Sequence, residues 1–325
     1  MSGQYESDSD SEASSSSCTS IDDDEVNGRA TPCWATCRNI LHARGYALDT
    51  CRDVKEFYHR HWSDQERALE ASRATSGYYR ACSSHDDNAL CKDAGLPDTL
   101  FRGSRIQDGM RVVIKAVRLR SRELDVVRFL STPPIRHEPM NHCIPVLDVI
   151  EIPEDDLGII VMEEWSAPLM ADTPCCMRLF LGCLQQIIEH IAFMHQNMIA
   201  HLDLSLVNIL TDGQGHYATI DYELSRRFHD ALDPRIHGGR STEMPPEFER
   251  GECCDPFKVD IWTLAVLILR VMKLQGLCLP ELIRLTGPML AEDAKTRPTA
   301  AQVLDAFNRI VSTMPNLESC NKTTP

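Results

Sequence analysis

The chain has 325 residues, 43% of them apolar, enough for a sizeable core in two lobes or in one domain with extensions. Its net charge of −15 excludes the basic footprint of a nucleic-acid binder. There is no signal-peptide pattern at the N-terminus, and the longest apolar helix, near 261–272, falls short of the roughly 20 residues that span a bilayer. The fourteen cysteines are scattered without a C-x-x-C pair, so reduced thiols in an intracellular protein, cytoplasmic or nuclear, are expected rather than a metal site or a disulfide framework.

Residues 1–30 are rich in Ser and acids, and account for −7 of the charge. With almost no large apolar side chains they cannot offset ordering entropy, so a disordered tail is expected. Ser20, followed by Ile21, Asp22 and Asp23, resembles a target of an acidophilic kinase; a solubilising tail is the blander alternative. Residues 31–98 carry Trp34, Leu41, Tyr46, Phe57, Tyr58 and Trp62, with helical spacing around 33–43 and 52–72 and a break at Gly45. This stretch is expected to be a helical extension packed on the main domain. Residues 313–325 are polar and expected to be loose.

Asp108-Gly109 between two β-prone runs is a strong hairpin signal. On the second strand, apolar neighbours bury the backbone around Lys115, whose ammonium must then find an anion or snorkel to the surface. The helix that begins near Ser121 offers Glu123 as its partner, with Asp125 as an alternative. Two further strands, 143–152 and 158–165, are joined across residues 153–157. From Arg178 to His195, residues Phe180, Leu184, Ile187, Ile191 and Met194 fall on one helical face.

The most informative stretch follows. Positions 201–210 read HLDLSLVNIL and positions 218–223 read ATIDYE, separated by a turn signal at residues 212–215. A β-hairpin would return Asn208 and Asp221 to the same edge. Two oxygen ligands placed so suit Mg²⁺ on a nucleoside triphosphate, because Mg²⁺ takes few ligands from the protein. Asp203 is placed to accept a proton from an attacking hydroxyl.

The pattern H-x-D-x-x-x-x-N, an apolar hairpin and then Asp resembles the protein-kinase superfamily. Residues 112–115, VVIK, resemble its V-A-I-K strand; Pro245-Pro246-Glu247 resembles A-P-E; Arg297-Pro298-Thr299 resembles its R-P-T. The phrases NHCIPVLDV, IHGG and CDPFKVDIW further resemble kinase-like families of mushroom-forming fungi. The resemblance covers roughly residues 100–312.

The resemblance implies an α+β, two-lobed kinase-like fold over 99–312, with a small β-rich N-lobe (about 99–165) and a mainly helical C-lobe (about 166–312). It implies ATP and Mg²⁺ as cofactors. Lys115 and Asp203 would be catalytic, and Asn208 and Asp221 would hold the metal. Lys115, Glu123, Met162 as gatekeeper, and Glu163, Glu164 and Trp165 as hinge would frame the nucleotide. Glu247 would pair with Arg297. A protein substrate, no nucleic-acid or membrane partner and a monomeric state are expected.

Four positions depart from the family pattern. Leu202 stands where an Arg pairs with a phosphorylated activation loop, Ser205 replaces a Lys, and Glu223 replaces the Gly of D-F-G; no G-x-G-x-x-G precedes Lys115. The expected function is phosphoryl transfer to a protein hydroxyl. A pseudokinase scaffold is one alternative. A small-molecule phosphotransferase, which the I-D-x-E pattern of residues 220–223 resembles, is another.

Overall fold

The computed structural model describes residues 19–20, 30–93, 95–166, 176–229, 231–237 and 240–314. Most of the acidic tail, Gly238 and Gly239 of the IHGG phrase, and the end of the chain from residue 315 lie outside the described residues.

Five antiparallel strands form the N-lobe sheet: β1 (Tyr46–Leu48), β2 (Leu100–Arg105), β3 (Arg111–Arg118), β4 (Val146–Ile152) and β5 (Leu157–Glu163). Their order is β1-β2-β3-β5-β4. Alternation along the strands sends Phe101, Val112, Ile114, Ala116, Ile159 and Val161 into a core beneath α1 (Trp34–Ala43), where Cys37 and Leu41 meet them. The opposite face carries Arg111, Val113 and Lys115. Directly opposite residues share a face, so Arg102, opposite Val113, and Leu100, opposite Lys115, lie there too. The expected turn between β2 and β3 is present, with Gly109 at φ +73°. At Gly103 a Cβ would run into the Ala47 carbonyl, so β1 docks this closely only on glycine.

β1 corrects the domain division drawn from sequence. Residues 31–98 are not an extension outside the kinase-like domain, because Tyr46–Leu48 inside that segment is the edge strand of its sheet. Three helices, α2 (Cys51–His61), α3 (Asp64–Ala71) and α4 (Gly77–Ser83), are inserted between β1 and β2. The helical spacing over 52–72 is met by two helices, because Ser63 caps a new one. Thr50 with Asp53 and Ser63 with Glu66 form reciprocal capping boxes that start α2 and α3. The insertion has its own small core of Cys51, Ala81 and Cys91, and the Thr50–Leu90 bridge ties its two ends together.

Helix α5 (Arg122–Ser131) follows β3 and buries Leu124, Val126, Val127 and Leu130 in the main core. That core continues into the C-lobe through α6 (Met177–Gln196), α7 (Pro256–Leu274), α8 (Pro280–Met289) and α9 (Ala300–Thr313). Pro256 at the first position of α7, with Asp255 as its cap, fixes where that helix starts. No helix among the described residues is long and apolar enough to cross a membrane.

Two findings depart from sequence expectation. Thr19–Ser20, in the acidic tail, forms a short parallel pairing with Ile236–His237, which also pairs with Cys253–Cys254. Cys253 is disulfide-bonded, where reduced thiols were expected.

Candidate active site

Lys115 projects from β3 towards the C-lobe. Its Nζ donates to Glu123 Oε1 at 2.6 Å and to Asp221 Oδ1 at 2.9 Å. Of the two acids open to it in the sequence, Glu123 makes the contact. Ser121 explains why: it caps α5 by accepting from the Leu124 amide, setting Glu123 in the first turn with its side chain buried against the strand. Burial works to lower the Lys115 pKa, but the two carboxylates outweigh it, so Lys115 titrates above the ordinary lysine value and is charged. Burial raises the Asp221 pKa, and Lys115 outweighs it, leaving the carboxyl below its usual range.

The hairpin forms as its sequence predicts. Asn208 ends a 3₁₀ turn immediately before the strand Ile209–Thr211, and Asp221 lies two residues beyond the strand Tyr217–Thr219. The Ile220 amide donates to the Asn208 carbonyl at 2.9 Å, closing the edge. Asn208 Nδ2 donates to the Asp203 carbonyl at 2.9 Å, which leaves its Oδ1 as the atom for a cation. A carboxylate has about four lone-pair sites, so Asp221 can serve Lys115 and a cation together. Hard oxygen donors of this kind fit Mg²⁺.

Behind the loop stands fully buried Asp260. Its Oδ2 accepts from the His201 amide at 2.7 Å and contacts His195 Nε2 at 2.9 Å; its Oδ1 accepts from the Leu202 amide at 2.7 Å. These bonds hold Leu202 at φ +65°, a conformation costly for a side chain with a Cβ. Asp203 follows at once and is thereby aimed into the cleft. Its Oδ1 accepts from the Thr242 amide at 2.7 Å, so the activation segment lies against it. Asp221 is likewise left-handed, at φ +66°.

The departures from the family pattern have structural consequences. Leu202 makes no ionic contact; it is buried in an apolar cluster with Phe228, Ile236 and Phe248. Apolar packing thus stands at this one position where the resemblance would place a charged contact. Ser205 is buried and its Oγ has no hydrogen-bond partner among the described residues. Glu223 accepts from Arg240 Nη2 at 3.1 Å. Glu247 and Arg297, both buried, form the expected pair through two bonds of 2.6 and 2.8 Å.

Met162 lies on β5 opposite Val113 and packs against the main core. In the hinge, Trp165 Nε1 donates to Glu163 Oε2 at 3.0 Å, and the Glu164 amide is already bonded to the Arg111 carbonyl at 3.1 Å. The Glu164 carboxylate accepts from Arg102 Nε at 2.6 Å and from Arg111 Nε at 3.1 Å. Arg111 also grips Asp49 through two bonds of 2.7 Å, and Arg102 pairs with Asp93. Sequence reasoning missed Asp49, Asp93, Arg102 and Arg111. One signal was present: Arg111 stands four residues before Lys115, on the same face of the same strand. Its partners come from the insertion, and nothing local points to them.

The family model of the protein kinase domain matches residues 177–279. Among similar curated proteins, the SNF1-related protein kinase catalytic subunit alpha KIN12 of Arabidopsis thaliana is 31% identical over 156 residues, 45% of this chain and 28% of that protein. The human NUAK family SNF1-like kinase 2 is 33% identical over 84 residues, 26% of this chain and 13% of that one. The probable serine/threonine-protein kinase KKQ8 of Saccharomyces cerevisiae is 32% identical over 95 residues, 27% of this chain and 13% of its own length. The chain thus spans less than a third of each of these relatives. The domain match over residues 177–279 and these kinase relatives, with Lys115, Glu123, Asn208, Asp203 and Asp221 brought together in the fold, support membership of the eukaryotic protein-kinase superfamily.

Proposed function

We propose that the chain transfers the terminal phosphoryl group of a magnesium-bound nucleoside triphosphate to a hydroxyl on a protein. The observation that carries this reading is Lys115 bonded at once to Glu123 and Asp221. A buried, charged lysine held between two carboxylates is a cation fixed in place. Such a cation suits polyphosphate, because phosphoryl transfer needs positioning and charge stabilisation more than covalent chemistry. ATP is the nucleotide that the resemblance implies; the phosphate end of the cleft carries no information about the base.

In this reading Lys115 contacts the phosphates, and Asn208 and Asp221 hold Mg²⁺. Bound there, the metal would neutralise charge on the phosphate oxygens. Asp203 orients the acceptor hydroxyl and takes its proton. Because the Thr242 amide donates to Asp203, an acceptor at Asp203 would lie beside the segment that carries Thr242, which supports a protein acceptor over a small molecule. The Glu247–Arg297 pair, a protein-kinase feature by resemblance, favours the same choice.

The second reading is a pseudokinase that binds nucleotide with little transfer. Ser205 favours it, because a buried hydroxyl stands where the family places a lysine near the terminal phosphate. A turnover assay on a generic protein substrate, with wild type and Asp203→Asn, separates the two. Transfer that depends on Asp203 supports the first reading. Nucleotide binding without Asp203-dependent transfer selects the second.

A further inference from the structure

The phrase NHCIPVLDV has a structural task behind the Lys115 site. Its first residues form a strap between α5, α6 and the hairpin. Asn141 Nδ2 donates to the carbonyls of Leu130, in α5, and of Ile135, at 2.8 and 3.0 Å. The His142 amide donates to Nδ1 of His190, in α6, at 3.0 Å, and the His142 carbonyl accepts from the Thr219 amide at 2.9 Å. The Ile144 amide donates to the Thr219 carbonyl at 3.3 Å. The His142 ring is held in turn, its Nε2 lying 2.9 Å from Glu189 Oε2.

His190 and Tyr222, the residue after Asp221, are both buried among these elements. His190 Nε2 lies 3.0 Å from Tyr222 Oη, and that hydroxyl lies 3.0 Å from the Thr219 carbonyl oxygen. Donors and acceptors fix the protons. A backbone amide only donates, so His190 Nδ1 carries the lone pair, and the ring, kept neutral by burial, bears its hydrogen on Nε2. Nε2–H therefore donates to Tyr222 Oη, and the Tyr222 O–H donates to the Thr219 carbonyl. Each polar group of the pair has a partner, as burial demands.

Asp221 thus stands between two anchored residues. On one side the Ile220 amide bonds to the Asn208 carbonyl; on the other the Tyr222 hydroxyl reaches back to Thr219. Between them Asp221 takes φ +66°, a conformation that persists only where the surroundings over-determine it. That turn brings its carboxylate to Lys115 at 2.9 Å. The D-F-G pattern has a phenylalanine at the position of Tyr222, so the hydroxyl and its bond to His190 lie outside that pattern. Resting on the magnesium-nucleotide reading proposed above, we infer that the Tyr222 hydroxyl and His190 are positioning residues, which hold Asp221 in the turn where its carboxylate can meet a cation.

The test is calorimetric titration of the full chain and of Tyr222→Phe with ATP, with and without Mg²⁺, beside a melting curve of each. Phenylalanine keeps the ring and removes both bonds of the hydroxyl. The expected result is an affinity for Mg·ATP lower by about twofold to tenfold, the range of one lost hydrogen bond, with the affinity for Mg²⁺-free ATP unchanged. A merely structural hydroxyl would lower the Tm without that split. Should Tyr222→Phe not fold, His190→Asn carries the same test, because its Oδ1 can still accept from the His142 amide while the bond to Tyr222 is gone. A Mg²⁺ dependence equal to wild type in the folded variant, or an equal loss with and without Mg²⁺, overturns the inference and leaves the nucleotide reading standing. Absence of Mg²⁺-dependent binding in wild type overturns both together.

Discussion

Two regions of the molecule are built on different principles, the Lys115 site and the Arg102–Arg111 network. At the Lys115 site, in the reading proposed above, chemistry dictates residue type: a cation for phosphate, oxygen ligands for a metal, a carboxylate for a proton. Backbone geometry there is fixed from behind, by Asp260 under the catalytic loop and by the hairpin between Asn208 and Asp221. At the network, three inserted helices stand between β1 and β2, and Asp49 before them and Asp93 after them pair with Arg111 and Arg102, which also pair with Glu164. At the Lys115 site Asp203, Asn208 and Asp221 are sequence neighbours brought home by short elements, and β3 carries in Lys115 from 106 positions before Asp221. The arginine network has no such local part; its bonded partners lie up to 62 residues apart.

Perturbing the Lys115 site and its frame sharpens this contrast. The largest effect is expected at Asp203. Replacing it by Asn should lower turnover by about 10²–10⁴-fold, the range for losing a general base, while nucleotide affinity is spared. A fall in affinity of the same size would merge the binding and transfer roles that the contrast keeps apart.

Next comes the frame of the C-lobe. Arg297→Ala leaves Glu247 charged and buried, which costs about 3–5 kcal/mol. A chain of this size should then melt lower by on the order of 10 °C. An unchanged Tm would mean that the pair contributes nothing to the frame behind the phosphate end.

The buried histidines give a pH signature of about 1.4 kcal/mol per proton and pH unit. Burial holds the pKa values of both His190 and His201 below the usual histidine value. The unfolded chain then binds protons that the folded chain refuses, so stability should fall as pH drops below about 6.5 and stay level above it. The His142 amide donates to His190 Nδ1 at 3.0 Å, so protonating that nitrogen would set N–H against N–H. A melting curve measured from pH 7.5 to 5 checks the direction; stability that rose on acidification would contradict it.

The smallest effect is expected from the tail. Deleting residues 1–29 removes the Thr19–Ser20 pairing but stops short of Ala30, which is buried under the sheet. Tm should move by less than about 3 °C. A larger drop would give the acidic segment a structural role at Ile236–His237.

Legibility in the sequence followed the same division. Asp203, Asn208 and Asp221 were readable because their spacing is set by one loop and one short hairpin, and Lys115 because apolar neighbours on its strand leave its charge in need of a partner. The hairpin at Asp108-Gly109, the long helix from Met177 and the buried helix from Pro256 were readable because periodicity and turn residues act within a few positions. Glu123 was named beside Asp125, and only the cap at Ser121 decides between them. β1 was hidden, since three residues carry no periodicity and their pairing partner lies over fifty positions away. The same blindness cost the Arg102–Arg111 network. Charged residues on a strand read locally as solvent-facing, and their partners, Asp49 and Asp93 at the two ends of the insertion and Glu164 after β5, are distant in sequence or off the strand.

The central claim is that Lys115, Asn208 and Asp221 form a magnesium-dependent nucleotide site, and the most direct measurement is calorimetric titration of wild type and Asp221→Asn with nucleoside triphosphate, with and without Mg²⁺. Wild type should bind far more tightly with Mg²⁺ than without it, and Asp221→Asn should lose that dependence while remaining folded. Binding that ignores Mg²⁺ in wild type, or that survives unchanged in Asp221→Asn, would contradict the account.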